Sequence, residues 1–364
     1  MATATDTRTN LFALSREDLE SYAKKAGQPA FRGRQLFKWM YGKGARSFEE
    51  MTDLPKAFRG YLDKHASIQN LILDHKQVAA DRTIKCLFKL PSGQRVESVL
   101  IPDFDDDNKA KRLTVCVSSQ VGCAMGCTFC ATGLMGFKQN LNAAEIFDQV
   151  WQLNGIAIKQ FGRPVTNIVY MGMGEPMQNY DNVLLSTVFL TDEEGMGLAA
   201  KRITVSTVGL ARRISQLADD KVRFNLAVSL HAPTDEKRSS IMPVNRNERT
   251  DIKALMASLK RFTKATGKRI TFEYCMFQKF NDSEEDAKNL ALLCAQIPAK
   301  VNLIMYNPVA DVEFSKTSES RLNKFILVLT KKKVLVTVRR SRGQDIDAAC
   351  GQLLVNIEKN ETDA

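Results

Sequence analysis

From about residue 112 onward, short apolar runs rich in β-branched residues recur along the chain, most of them separated by helical segments such as AAEIFDQVWQLN. LTVCVS, TNIVYMGM, RITVST, RFNLAVSL, RITFEYCM, VNLIMY and VLVTVR read as strands. Strands alternating with helices predict βα units with right-handed crossovers around a parallel sheet, closed or partly closed as a barrel. In such barrels the working residues gather at the C-terminal ends of the strands.

Upstream the pattern is different. SREDLESYAKKAG opens on Ser15 as an N-cap, carries Asp18 three residues later and closes on Gly27. FRGRQLFKWMYGKG predicts a second short amphipathic helix ended by glycines. Residues 1–62 therefore read as a small helical domain. TIKCLFKLPSGQRVESVLIP holds two alternating runs joined by Pro-Ser-Gly, a hairpin inside a linker spanning 63–111, and the acidic DFDDDNK reads as a loop. The barrel occupies 112–345, and a C-terminal segment, 346–364, ends in EKNETDA, which reads as disordered. The fold class is α/β: a partial barrel with a helical accessory domain and a β-hairpin linker.

Composition adds bounds. Of 364 residues, 44% are apolar, enough for a core, and no apolar run approaches a membrane span. The N-terminus lacks the layout of a secretory signal, so a cytoplasmic protein without membrane attachment is expected. Thiols stay reduced there, and eight cysteines suggest metal or redox chemistry before a disulfide framework. A net charge of +11 favours polyanionic partners. From Arg321 to Gln344 there are eight Lys or Arg and no acid. Phe31 to Gly60 carries seven cations against three acids, interleaved with Phe31, Phe37, Trp39, Tyr41 and Phe58. Cations for phosphates beside aromatics for stacking suit structured RNA; a solvated helix face over an ordinary core is the alternative.

The chemistry concentrates in CAMGCTFC, which follows LTVCVS and so occupies the loop after the first barrel strand. Three thiolates, from Cys123, Cys127 and Cys130, can ligate three corners of a [4Fe–4S] cluster and leave one iron open to a small molecule. Zinc would want a fourth ligand, and His65, His75 and His231 are all distant in sequence. MGMGEP brings Gly174 and Glu175 to a strand end; Ser206 ends RITVST, Ser229 to His231 end AVSLH, and Asn307 ends LIMYN. Cys116, within the first strand, and Cys350, in SRGQDIDAACGQL, could by pattern alone be small core residues, as Cys86, Cys275 and Cys294 are read to be.

CxxxCxxC in this position resembles the signature of radical S-adenosylmethionine (SAM) enzymes. The resemblance implies a (βα)6-type barrel whose open iron takes the amino and carboxylate groups of SAM, with MGMGEP similar to the motif that contacts the amino group. VCVSSQVGCAMGCTFC, MGMGEP, SLHAPTDEKR, LIMYNP and RGQDIDAACGQL together resemble the RlmN-type RNA methyltransferases, from roughly Phe31 to Leu353. DFDDDNKAK is longer than the usual turn.

This resemblance implies methylation of adenine carbon 2 in 23S rRNA at the peptidyl transferase centre and in tRNA beside the anticodon. It implies two SAM per turnover: one methylates Cys350, and the other yields the radical that turns the S-methyl group into a methylene radical. It further implies that Cys116 resolves the protein–RNA crosslink, leaving a Cys116–Cys350 disulfide, and that Glu97 is the general base. Gly174, Glu175, Ser206, Ser229, Leu230, His231 and Asn307 are the implied SAM contacts. Partners would be the RNAs and an electron donor such as flavodoxin or ferredoxin, the enzyme being a monomer. The N-terminal domain would grip RNA, with Arg339, Arg340 and Arg342 on the approach to Cys350. The related Cfr-type enzymes, which act on carbon 8, share the cluster and both catalytic cysteines. A non-catalytic iron–sulfur RNA-binding protein and a radical enzyme acting on peptides or small molecules are the readings from other classes.

Overall fold

A computed structural model describes residues 8–353 except 245–247, 249 and 310–311; EKNETDA lies outside them. Three helices begin the chain: α1 (Arg16–Lys25), α2 (Phe31–Phe37) and α3 (Lys56–His65). Ser15 caps α1 as its sequence predicts: its hydroxyl accepts the Asp18 amide at 3.1 Å, and Asp18 accepts the Ser15 amide at 3.3 Å. Gly27 follows at φ 71°, a left-handed position that favours glycine. The second predicted helix continues past α2 as a wider π-turn over Lys38–Gly42. The expected domain boundary at residue 62 falls inside α3.

This unit packs against α4 (Ala143–Phe161), the helix that the sequence places after the first barrel strand. Tyr41, fully buried, stacks 4.0 Å from Phe189, meets Phe147 edge-on at 5.1 Å, and donates its hydroxyl to the Phe12 carbonyl at 2.7 Å. Arg46 reaches the buried carboxylate of Asp148 at 2.5 Å, which also accepts the Leu71 amide at 2.8 Å. Of the five aromatics interleaved with cations, Phe37, Tyr41 and Phe58 are thus core, and Phe31 is the exposed one.

One ten-stranded sheet carries the rest. Its strands are β1 (Ile72–Val78), β2 (Ile84–Lys89), β3 (Arg95–Phe104), β4 (Ala110–Cys116), β5 (Asn167–Tyr170), β6 (Ile203–Thr207), β7 (Asn225–Ser229), β8 (Ile270–Met276), β9 (Ala299–Met305) and β10 (Leu335–Arg339). They lie in chain order across the sheet; β1 to β4 are antiparallel neighbours and β4 to β10 are parallel. The parallel strands form the expected partial barrel, with β10 added as a seventh. The hairpin expected in a linker is β2–β3, and it is no linker. Val99 pairs with Cys116, so β3 continues the barrel sheet, and DFDDDNK is the turn into β4.

The β1–β2 turn reaches over to the C-terminal segment. Asp345 accepts the Ala80 amide at 2.9 Å, and Asp81 accepts that of Gly343 at 3.0 Å. Gly343 is required there: φ is 63°, and a Cβ would lie 2.9 Å from Thr83. No helix among the described residues is long and apolar enough to cross a membrane.

Candidate active site

The three-cysteine loop leaves β4 through a buried polar clamp. Gln149 of α4 accepts the Ser118 amide at 2.9 Å and donates to the Ser118 carbonyl at 3.0 Å, while the Ser118 hydroxyl donates to the Glu97 carbonyl at 2.6 Å. Gln120–Gly122 then pairs with Phe137–Asn140, closing the loop at its base. Gly122 sits at φ 70°, where a Cβ would be 1.8 Å from the Gly136 carbonyl oxygen. The Thr128 amide donates to the Ile241 carbonyl at 3.0 Å.

Cys123, Cys127 and Cys130 line one cavity of about 170 Å³ together with Gly174, Glu175, Ser206, Ser229 and His231, as the strand-end reading expects. Burial pushes the Cys123 thiol up to about 12 and raises those of Cys127 and Cys130, so ionising all three needs an added positive charge. Iron supplies that charge, and three thiols around one cavity fit a [4Fe–4S] cluster with an open corner. Among the described residues, no three His, Cys, Asp or Glu side chains are gathered for a single metal ion.

Around the thiols, the polar residues are tightly held. Gly174, at φ 97°, brings its backbone so close that a Cβ would lie 2.5 Å from the Gln120 Cβ. Glu175 accepts the amides of Met177 at 3.0 Å and Val208 at 2.8 Å; burial pushes its carboxyl up to about 7. His231, in a left-handed conformation at φ 55°, accepts the Cys275 amide on Nδ1 at 3.0 Å. Burial lowers its pKa to about 3, so the neutral ring carries its proton on Nε2. Leu230 and Asn307 do not line this cavity. Leu230 is core, and Asn307 donates to the Cys350 carbonyl at 3.3 Å, because the loop after β9 turns toward the C-terminal segment.

That segment crosses the cysteine loop. The Gly351 carbonyl accepts the Ala131 amide at 2.8 Å, and the Leu353 carbonyl accepts the Thr132 hydroxyl at 2.7 Å. Cys350, half-buried, lines the thiol cavity and also a second one of about 690 Å³, whose wall includes Cys116, Arg339, Arg340 and Arg342. Cys116 is buried, which pushes its thiol up to about 12; Cys350 adds to the rise and the Arg339 guanidinium opposes it. All eight cysteines are free, so the Cys116–Cys350 disulfide implied by the family is not formed here.

Glu97 lies on the same face of the sheet as Cys116, two residues from its strand partner Val99, but lines neither cavity. Its carboxylate meets Lys85 Nζ at 3.2 Å. Two residues of RITFEYCM were missed. Glu273, buried, lines both cavities and accepts Asn302 at 3.2 and 3.1 Å. Cys275, read as core, is buried but faces the thiol cavity. The signal was available: Thr271, Glu273 and Cys275 alternate with Phe272, Tyr274 and Met276.

The chain is similar to known proteins over nearly its whole length. Residues 9–68 match the ribosomal RNA large subunit methyltransferase N-terminal domain, and residues 117–291 match the radical SAM superfamily. A protein of Salinibacter ruber named "Probable dual-specificity RNA methyltransferase RlmN" is 57% identical over 97% of this chain and 95% of its own. The "Dual-specificity RNA methyltransferase RlmN" of Geotalea uraniireducens is 46% identical over 94% of this chain and 96% of its own. The crystal structure of a radical SAM methyltransferase from Sphaerobacter thermophilus superposes with a TM-score of 0.87 at 44% identity, covering 95% of this chain and 99% of that one.

Proposed function

The chain belongs to the RlmN family of radical SAM RNA methyltransferases, and on that footing we propose that it methylates carbon 2 of adenine in 23S rRNA and tRNA, with Cys350 carrying the transferred carbon. The observation behind this reading is the position of Cys350 in the wall of both cavities, one lined by the three loop cysteines and the other by Cys116. Such a sulfur can receive a group on one side and deliver it on the other.

Carbon 2 is electron-poor and bears an unactivated hydrogen, so direct transfer of a methyl cation to it is not feasible. The Cys350 sulfur instead takes a methyl group from a first SAM by displacement. A [4Fe–4S] cluster on Cys123, Cys127 and Cys130 would supply, with a second SAM, the radical chemistry that removes hydrogen from that S-methyl group. Two SAM are therefore used per turnover. Glu175, Ser206, Ser229 and His231 hold SAM against the cysteine loop, with Gly174 giving the backbone room. The methylene radical on Cys350 adds to carbon 2, and the adduct gives up one electron, returned to the reducing couple that started the cycle, together with the carbon 2 proton. The Cys116 thiolate then attacks the Cys350 sulfur; the carbon leaves with the C–S electron pair and takes up a proton, freeing methyladenine and leaving a disulfide. Glu97 is the proposed base, its carboxylate 3.2 Å from Lys85 Nζ.

Arg339, Arg340 and Arg342 meet the phosphates of the entering loop, and the helical unit α1–α3 grips RNA farther out. Lys43 over Trp39 at 3.5 Å and Arg32 over the exposed Phe31 at 4.7 Å are the cation–aromatic pairs it offers. The enzyme works in the cytoplasm as a monomer, fed electrons by a flavodoxin- or ferredoxin-type donor.

Nucleoside mass spectrometry of 23S rRNA and tRNA after incubation with reconstituted enzyme tests the reading. It expects 2-methyladenosine in both. 8-Methyladenosine would move the chain to the carbon-8 chemistry, and no methylated adenosine in either RNA would overturn the reading.

A further inference from the structure

Closed βα barrels fill their interior with layers of branched apolar side chains. This barrel does not. Thr114, Asn167, Thr204, Thr271, Asn302 and Thr337 occupy inward positions of β4, β5, β6, β8, β9 and β10 and line the 690 Å³ cavity. Register carries the polar layer from strand to strand: Thr114 pairs with Asn167, Thr271 with Lys300, and Asn302 with Thr337. Asn167, Thr204 and Thr271 lie at the N-terminal ends of their strands, Asn302 and Thr337 lie at mid-strand, and Thr114 precedes Cys116 by two residues; Cys116 ends β4 and Cys350 follows β10. The same cavity is lined by Arg202, just before β6, and Lys300, the second residue of β9, both exposed on the N-terminal face. One polar passage therefore runs from that face to the two thiols.

Its charge is lopsided. Arg112, Arg202, Lys300, Arg339, Arg340 and Arg342 face Asp103 and Glu273. Asp103 is already shared between Arg112 at 3.8 Å and Arg342 at 3.9 Å. Arg202 and Lys300 have no carboxylate within ion-pair distance among the described residues. A volume of about 690 Å³ admits a molecule of small-peptide size and excludes a folded protein.

We infer that this passage admits a small anionic thiol from the N-terminal face of the barrel to reduce the disulfide left between Cys116 and Cys350. The inference rests on the proposed function, which ends each turnover with that disulfide. Arg339, Arg340 and Arg342, assigned to the RNA phosphates, line the same cavity, so the reductant enters once the RNA has left, past Arg202 and Lys300. One thiolate attacks a cysteine sulfur and expels the other cysteine as a thiolate, which takes up a proton. A second thiolate attacks the mixed disulfide, releasing the remaining cysteine and a small disulfide, so two small thiols supply two electrons. Arg339, which faces both cysteines, offsets the charge on the expelled thiolate.

The test uses reconstituted holoenzyme whose two cysteines have been joined by turnover or by diamide, with the pairing verified by mass spectrometry. It is reduced with 2-mercaptoethanesulfonate, 2-mercaptoethanol or 2-mercaptoethylamine, and each rate is divided by that thiol's rate on a small neutral disulfide. The normalised rate of the anionic thiol should exceed that of the cationic one by about tenfold or more at low salt. Added salt should shrink the preference. Arg202→Gln and Lys300→Gln should lower it while leaving single-turnover methylation unchanged. Charge-blind rates, or a preference that survives both substitutions, overturn the inference and leave the two-thiol chemistry standing. If neither turnover nor diamide ever joins Cys116 to Cys350, the proposed function falls and this inference falls with it.

Discussion

The backbone carbonyl of Gly351 accepts a hydrogen bond from the amide of Ala131 at 2.8 Å. That one bond ties the residue after Cys350 to the residue after Cys130, so the carbon-carrying sulfur and the cysteine loop share a backbone frame. The Thr132 hydroxyl, donating to the Leu353 carbonyl at 2.7 Å, is the side-chain fastening of the same frame. Thr132→Val should remove about 1 kcal/mol of it. Limited proteolysis should then release the C-terminal segment several-fold faster, and RNA methylation should drop while the cluster still loads.

The base of the loop depends on backbone space. In Gly122→Ala, a Cβ would fall 1.8 Å from the Gly136 carbonyl oxygen at a φ of 70°. The barrel should still fold, since the strain is confined to the short pairing with Phe137–Asn140. Iron and sulfide content after anaerobic reconstitution should fall to a small fraction of wild type, with circular dichroism unchanged.

Glu175 sets a pH dependence on the apo protein. Its carboxyl is raised to about 7 in the fold from an ordinary value of 4.5, so the folded state holds the proton more tightly than the unfolded one. Stability from this group is full below about 4.5 and is lost as pH rises toward 7, by about 3 kcal/mol at most. Denaturant midpoints of the metal-free chain should decline across that window, and Glu175→Gln should flatten the decline.

Cys116 should be a slow thiol. With its pKa pushed up to about 12 by burial, the thiolate is scarce at neutral pH. Iodoacetamide labelling followed by peptide mapping should show its rate climbing about tenfold per pH unit through pH 8–10. A plateau near pH 8 would mean that the resting site already activates it.

How much of this could be read beforehand follows from the range of each interaction. Ser15 with Asp18, the β2–β3 hairpin and the three-cysteine loop are set by neighbours in sequence, and all three stand where the pattern places them. Registers between distant segments were hidden. Val99 against Cys116 turns an expected linker into barrel sheet, and the turn at Ala80 reaches Asp345. Asn307, implied as a SAM contact, also donates to the Cys350 carbonyl, a bond set by loop direction after a strand and so by what packs over it. The polar interior is legible in RITFEYCM, where Thr271, Glu273 and Cys275 alternate with Phe272, Tyr274 and Met276, but the apolar alternate face makes Cys275 read as core.

The central claim, that Cys350 carries the carbon and Cys116 releases it, is tested most directly with Cys116→Ala. The variant, cluster-loaded and supplied with SAM, reductant and RNA under anaerobic conditions, is run on a denaturing gel and digested for mass spectrometry. The account predicts a stable protein–RNA adduct joining the Cys350 sulfur through one methylene to carbon 2 of an adenine. A variant that cleaves SAM with an intact cluster yet never crosslinks RNA would contradict it.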